Sequence, residues 1–135
     1  RSSRSRPVRV GTDIISVMRV ERMLGRYGAA FENRYFSEYE RSACGEKAYP
    51  ARHFAGKLAA KEAVAKVLRI RWNEGFSWRD IAILNDREGA PTVRLAGVPE
   101  RFAREQGLLP GNFDVSVSHC DEYATATAIW WPADG

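Results

Sequence analysis

The stretch from Arg52 to Leu68, Arg-His-Phe-Ala-Gly-Lys-Leu-Ala-Ala-Lys-Glu-Ala-Val-Ala-Lys-Val-Leu, constrains this chain more than any other. Ala, Leu, Lys and Glu dominate it, and Pro50 stands just ahead, where the first turn of a helix tolerates proline. The pattern predicts one strong helix. At about 100° per residue, Phe54, Leu58, Ala65 and Leu68 share one arc, and Lys61 lies inside it. Glu62 falls at the edge of the arc, and Lys66 follows one turn later. A lysine within an apolar stripe has two readings. It can snorkel along the stripe to water, leaving Glu62 and Lys66 as an i,i+4 pair, or it can be the kind of local conflict that functional sites carry. The helix alone favours the first, because most charged helix positions are solvated.

The remaining composition sets bounds. A chain of 135 residues, 44% hydrophobic and 28% charged, is expected to form one globular domain with a core of its own. No apolar run is long enough to span a membrane, and no secretory signal pattern is present. Cys44 and Cys120 are too few for a disulfide framework and lack metal-ligand spacing, so they are expected to be reduced thiols in a cytoplasmic protein. The net charge of +4 suits an anionic partner without choosing among nucleic acid, a phosphorylated small molecule and an acidic protein. Residues 1–6 are polar and basic without periodicity and are expected to be a flexible tail or linker remnant, with the domain at 7–135. The chain does not begin with Met, as would suit a piece of something longer.

Val8 and Val10 alternate with polar neighbours and lead into Gly11-Thr12-Asp13-Ile14-Ile15, a strand ending near a carboxylate. Val17, Val20, Met23 and Leu24 give a helix to Tyr27, stopped by Gly28, and a further helical turn carries Phe31. Ser37-Glu38-Tyr39-Glu40 matches a capping box and opens a short helix to Cys44. After the long helix, Trp72, Phe76 and Trp78 are expected to pack over neighbouring structure. Asp80–Leu84 and Thr92–Leu95 read as a hairpin around Asn85–Pro91, and Pro99–Gln106 as a helix stopped by Gly107. Phe113–Ser118 and Tyr123–Trp131 alternate and form a second hairpin. Segregated helices and antiparallel strands make the fold α+β, a helical block packed on a mainly antiparallel sheet.

Taken singly, the polar candidates are weak. Asp13 can be a turn residue, His119 a structural histidine in a strand connection, and Gly89-Ala90-Pro91 a hairpin turn. Asp13 and Glu62 make a metal site only if the fold joins them; two carboxylates plus phosphate oxygens and water would suit Mg²⁺. Neither a Walker loop nor a dinucleotide fingerprint is present. The order of the pieces is more specific. Val10-Gly11-Thr12-Asp13, Ala59-Ala60-Lys61-Glu62-Ala63-Val64-Ala65-Lys66, Gly89-Ala90-Pro91 and Ser116-Val117-Ser118-His119 together resemble the holo-acyl-carrier-protein synthases, the short 4′-phosphopantetheinyl transferases. The resemblance runs from about Val8 to Trp131.

The resemblance implies transfer of the phosphopantetheine arm of coenzyme A to a serine of an apo acyl carrier protein, with release of adenosine 3′,5′-bisphosphate. It implies Asp13 and Glu62 as Mg²⁺ ligands and Lys61 and Lys66 facing the phosphates, with Lys66 assisting proton transfer or the leaving group. Lys57, Gly89, Pro91, Ser118 and His119 would bind coenzyme A. The general base stays open among Glu62, Glu62 through a metal-bound water, and Asp13. Two positions depart from the family's pattern: Ala90 stands where a basic residue is usual, with Arg87 or Arg94 as possible substitutes, and Cys120 stands where an acid often follows the histidine.

By the same resemblance the chain would form a homotrimer with shared active sites. Val115, Val117, Ala124, Ala126 and Ala128 could build its interface or simply this subunit's core. Arg19, Arg22, Arg26 and Arg34 could receive the acidic carrier protein or be a solvated helix face. No membrane association is expected, and nucleic acid is not among the expected partners. The competing reading is a catalytically inactive basic module for an acidic protein or nucleic acid, and a weaker third is a metal-dependent phosphotransferase acting on another nucleotide.

Overall fold

Alanine and glycine decide how this chain packs, because they let a helix lie unusually close to a sheet. The computed structural model describes residues 7–71 and 75–132; the expected tail at 1–6 and the expected packing of Trp72 lie outside the described residues. The elements run β1 (Arg9–Ser16), α1 (Val17–Tyr27), α2 (Ala29–Tyr35), α3 (Glu38–Gly45), α4 (Pro50–Leu68), β2 (Ile81–Asn85), β3 (Pro91–Leu95), α5 (Gly97–Glu105), β4 (Phe113–His119) and β5 (Tyr123–Trp130). The order and types match the α+β expectation, with boundaries shifted by a residue or two.

Two antiparallel sheets form. One has the strand order β1-β5-β4, with β5 in the centre, and the other is the β2-β3 hairpin. Register across the first sheet aligns Gly11, Ala128 and Val115 in one row and Asp13, Ala126 and Val117 in the next. These residues face inward, since side chains alternate along a strand. Ala124, Ala126, Ala128 and Trp130 are all buried, and α4 packs on this small-residue face. The opposite face carries Val10, Thr12, Ile14, Tyr123, Thr125, Thr127, Ser116 and Ser118, all exposed.

The approach is closest at Gly11. A Cβ there would lie 2.2 Å from the carbonyl oxygen of Ala63, a backbone atom that cannot swing aside. Glycine at this position therefore sets how tightly β1 seats on α4.

α4 departs from the amphipathic helix expected of it. Phe54, Ala55, Ala59, Ala60, Ala63, Val64, Ala65, Val67 and Leu68 are all buried, so the helix is enclosed on most of its circumference rather than along one stripe. The reason is that it has sheet on one side and α1, α3 and the β2 strand on others. Lys61 consequently has no route to water and does not snorkel. Its side chain is fully buried, and Nζ donates to Glu40 Oε1 at 2.7 Å, the Ile81 carbonyl at 2.6 Å and the Trp78 carbonyl at 3.1 Å. The same nitrogen stands 5.6 Å from the centroid of the Phe36 ring. Three acceptors match the three donors of an ammonium group.

Glu40 is used as fully. Oε1 also accepts from the Ser37 backbone in a capping box that starts α3, and Oε2 accepts from the Ile83 backbone at 2.8 Å. One buried pair thus ties α3, α4 and β2 together. Lys61→Met is expected to cost roughly 3–5 kcal/mol in urea denaturation, because it strands a buried carboxylate. Glu40→Gln combined with Lys61→Met should recover a large part of that loss. A single-variant cost below about 1 kcal/mol, the level of a surface ion pair, would contradict this account.

Candidate active site

Asp13 arrives from β1 on the inner face of the sheet and meets Glu62 on α4; both line one groove of about 420 Å³. Lys66, one turn beyond Glu62, bridges back to the strand. Its Nζ donates to the Thr12 carbonyl at 2.7 Å and to Asp13 Oδ1 at 3.2 Å. It pairs with Asp13 rather than with Glu62, as the i,i+4 reading had it. The other oxygen, Asp13 Oδ2, is buried and accepts from no protein donor.

An acceptor buried without a donor costs free energy unless a proton or a cation meets it. Glu62 registers the same conflict. Burial first, then the neighbouring Asp13 carboxylate, push its carboxyl up to about 7, against the opposing pull of Lys66 and Arg19. The pair suits a hard divalent cation: its donors are carboxylate oxygens, one lacks a partner, and two protein ligands are enough for Mg²⁺ when phosphates and water complete the shell. Among the described residues no group of three or more His, Cys, Asp or Glu side chains is placed to hold a metal ion. The rest of the groove is mainly apolar, with Ile15, Met23, Phe31, Tyr35, Leu58 and Trp78, and Ser16 and Arg19 also line it.

A second cavity, about 610 Å³, lies on another side of α4 and shares no lining residue with the first. His53, Gly56 and Lys57 face it from the helix, Val117 and His119 from β4, and Gly89 and Pro91 from the hairpin. Lys57 donates to the Ile83 carbonyl at 2.8 Å and Asn85 Oδ1 at 3.0 Å, and burial lowers its pKa. Lys47, Glu46 and Tyr39 add further polar groups. Cys44 also lines it, and burial pushes its thiol up to about 12, so it stays protonated.

The sequence-derived candidates therefore fall into two half-sites and a remainder. Asp13, Glu62 and Lys66 come together; Lys57, Gly89, Pro91 and His119 come together elsewhere. His53 and Glu62 are nine residues apart, about 180° around the helix, and α4 itself separates the two groups. Lys61 belongs to neither. It is a core ion pair, and the expectation that it faces phosphates is corrected by its complete burial and its three protein acceptors. Ser118 is also outside the cavity: neighbouring strand residues point to opposite faces, and Ser118 is on the exposed one while His119 reaches inward. Neither Arg87 nor Arg94 lines the cavity beside Ala90. Sequence reasoning missed Glu40, whose capping-box role hid a second one. It also missed His53, which carries no motif signal at all.

The fold, a helical block on antiparallel sheets, is shared with known proteins. The family model of the 4′-phosphopantetheinyl transferase superfamily matches residues 9–128. The chain belongs to that superfamily and, within it, to the holo-[acyl-carrier-protein] synthase family. It is 40% identical to a holo-[acyl-carrier-protein] synthase of Protochlamydia amoebophila, over 90% of this chain and 95% of that protein. Its fold is similar to the crystal structure of the holo-[acyl-carrier-protein] synthase from Neisseria meningitidis, with a TM-score of 0.79 and 28% identity over 90% of this chain and 96% of that one. The ACPS–CoA complex of Chronobacterium ammoniagenes gives a TM-score of 0.79 at 27% identity, covering 96% of this chain and all (100%) of that one.

The raised Glu62 carboxyl has a measurable sign. A carboxyl that holds its proton more tightly when folded contributes stability at low pH and loses it as pH rises through the folded value, here about 7. In metal-free buffer the melting temperature should fall as pH is raised through that value, and Glu62→Gln should flatten the fall. An equally steep slope in the variant would show that another group is responsible.

Proposed function

We propose that this chain transfers the 4′-phosphopantetheine arm of coenzyme A to a serine of an apo acyl carrier protein, using the Asp13–Glu62 pair as its catalytic centre. The observation that carries the assignment of the centre is the buried, donor-less Asp13 Oδ2 beside Glu62. Asp13 and Glu62 would hold a Mg²⁺ ion, which when bound supplies charge neutralisation at the coenzyme A phosphates. Lys66 fixes the Asp13 carboxylate and, being more than half exposed, keeps the remaining reach of its ammonium for a phosphate oxygen. The serine oxygen bonds to the β-phosphorus, and the bond to the departing adenosine 3′,5′-bisphosphate breaks. The serine proton passes to the acidic pair, either to a carboxylate directly or through a metal-bound water.

The nucleotide end of coenzyme A is assigned to the cavity of Lys57, Gly89, Pro91 and His119. No single copy joins the two half-sites, so the reading includes a homotrimer in which neighbouring copies complete each site. The exposed sheet face supports this: Val10 is 58% exposed, Ile14 60% and Tyr123 48%. Val115 and the alanines of β5, offered by the sequence as either interface or core, are core. Arg19, which lines the groove of the acidic pair, and Arg22, Arg26 and Arg34 are exposed on α1 and α2, a basic surface suited to an acidic carrier protein. Residues 7–135 are taken as the transferase domain. A cytoplasmic setting fits the free thiols Cys44 and Cys120, and among the described residues no helix is long and apolar enough to cross a membrane.

Mass spectrometry tests the reaction. An apo acyl carrier protein incubated with this chain, coenzyme A and MgCl₂ gains one phosphopantetheine. Asp13→Ala and Glu62→Ala each lower the rate roughly 100-fold or more with the fold retained, and chelation removes the activity. No mass gain across a panel of carrier proteins, alongside salt-sensitive nucleic-acid binding, would favour the basic-module reading instead. For the assembly, Thr127→Arg on the exposed face should convert the trimer to smaller species in light scattering and reduce activity at least roughly tenfold, since like charges brought together between copies repel. Full activity in a monomeric variant would rule out shared sites.

A further inference from the structure

The chain has two histidines, 66 positions apart, and the fold places both in one cavity. The rings of His53 and His119 lie 5.1 Å apart between centroids at 70°, edge to face. His119 belongs to the expected coenzyme A residues; nothing so far gives His53 a role. We propose that His53 is a second phosphate-binding side chain, and that it takes up a proton when the anionic nucleotide end of coenzyme A enters the cavity beside His119. The inference rests on the assignment of that cavity to coenzyme A.

The charges around His53 support it. Lys57 and Arg52 flank it on α4, and Lys47 approaches from the loop after α3. Glu46 lines the cavity, and Asp121 is engaged by Arg52 at 2.7 Å. From α3, Tyr39 and the protonated Cys44 thiol complete the wall. Cations thus outnumber ionised acids in the empty cavity. Burial, followed by the charges of His119, Lys47, Lys57 and Arg52, lowers the pKa of His53, so the cavity without an anion disfavours its charged form. The nearness of His119 adds to this, because two imidazolium rings at this separation repel. A phosphate reverses the balance. It offers acceptors to both rings and to the one Lys57 donor left over from Ile83 and Asn85, and its negative charge favours a proton on His53.

Calorimetry of coenzyme A binding in buffers of different ionisation enthalpy reads the proton directly. The protein should take up about one proton near pH 7, and affinity should fall roughly tenfold between about pH 6 and pH 8. His53→Phe keeps the ring contact but abolishes the charge: proton uptake drops, the pH dependence flattens, and the KM for coenzyme A rises about tenfold, with the loss in KM rather than kcat. His53→Lys carries a fixed charge and should restore tight binding without proton uptake. Coenzyme A bound by the wild type with no proton uptake, or bound identically by His53→Phe, overturns the role of His53. No binding of coenzyme A to the wild type at all overturns the cavity's assignment, and this inference with it.

Discussion

The contact between Gly11 and the backbone of Ala63 is the constraint on which the rest of the structure depends. A strand and a helix can approach this closely only where neither presents a side chain, and here glycine faces an alanine-rich helix. The consequence lies two residues along β1. Asp13 shares the inward face with Gly11, so a strand seated against α4 presses its carboxylate onto Glu62. The unfavourable proximity of two acids is thus a product of favourable packing: the small residues that close the interface also hold the charges together. Sites of this kind retain local conflict because the surrounding core fixes it in place.

The buried Lys61–Glu40 pair fixes α4 through a separate set of contacts. It links α4 to α3 and to the β2 strand. Such a pair contributes little net stability relative to apolar residues of the same size, but its donors and acceptors match in only one register. That makes Lys61 a determinant of where Glu62, its chain neighbour, is aimed. Two adjacent charged residues therefore do opposite jobs, one sealed inside the protein and one at the groove.

Much of this was legible in the sequence. The periodicities of α1, β4 and β5 are local, and they appear where the pattern puts them. The acidic pair, Lys66 and His119 were legible as an ordered set. What the sequence hid was tertiary. The charged face of α4 could not reveal that the helix is enclosed, so Lys61 read first as a snorkelling side chain and then as a phosphate ligand. Its partner Glu40 already had a complete explanation as a capping residue. His53 became visible only when the fold set its ring against His119, because a lone histidine on a helix has no spacing to read. Ser118 shows the complementary failure: adjacent to His119 in sequence, it is on the far side of the sheet.

The separation of the half-sites by α4 also has a genetic consequence. If neighbouring copies complete one another, a chain damaged at Asp13 still offers an intact His119 cavity, and a chain damaged at His119 still offers an intact acidic pair. Mixed assemblies of two inactive chains then contain some sites built wholly from undamaged halves. Head-to-tail association of this kind makes the unit of function the junction rather than the polypeptide. Alleles of the gene would complement or interfere according to which side of one helix they alter.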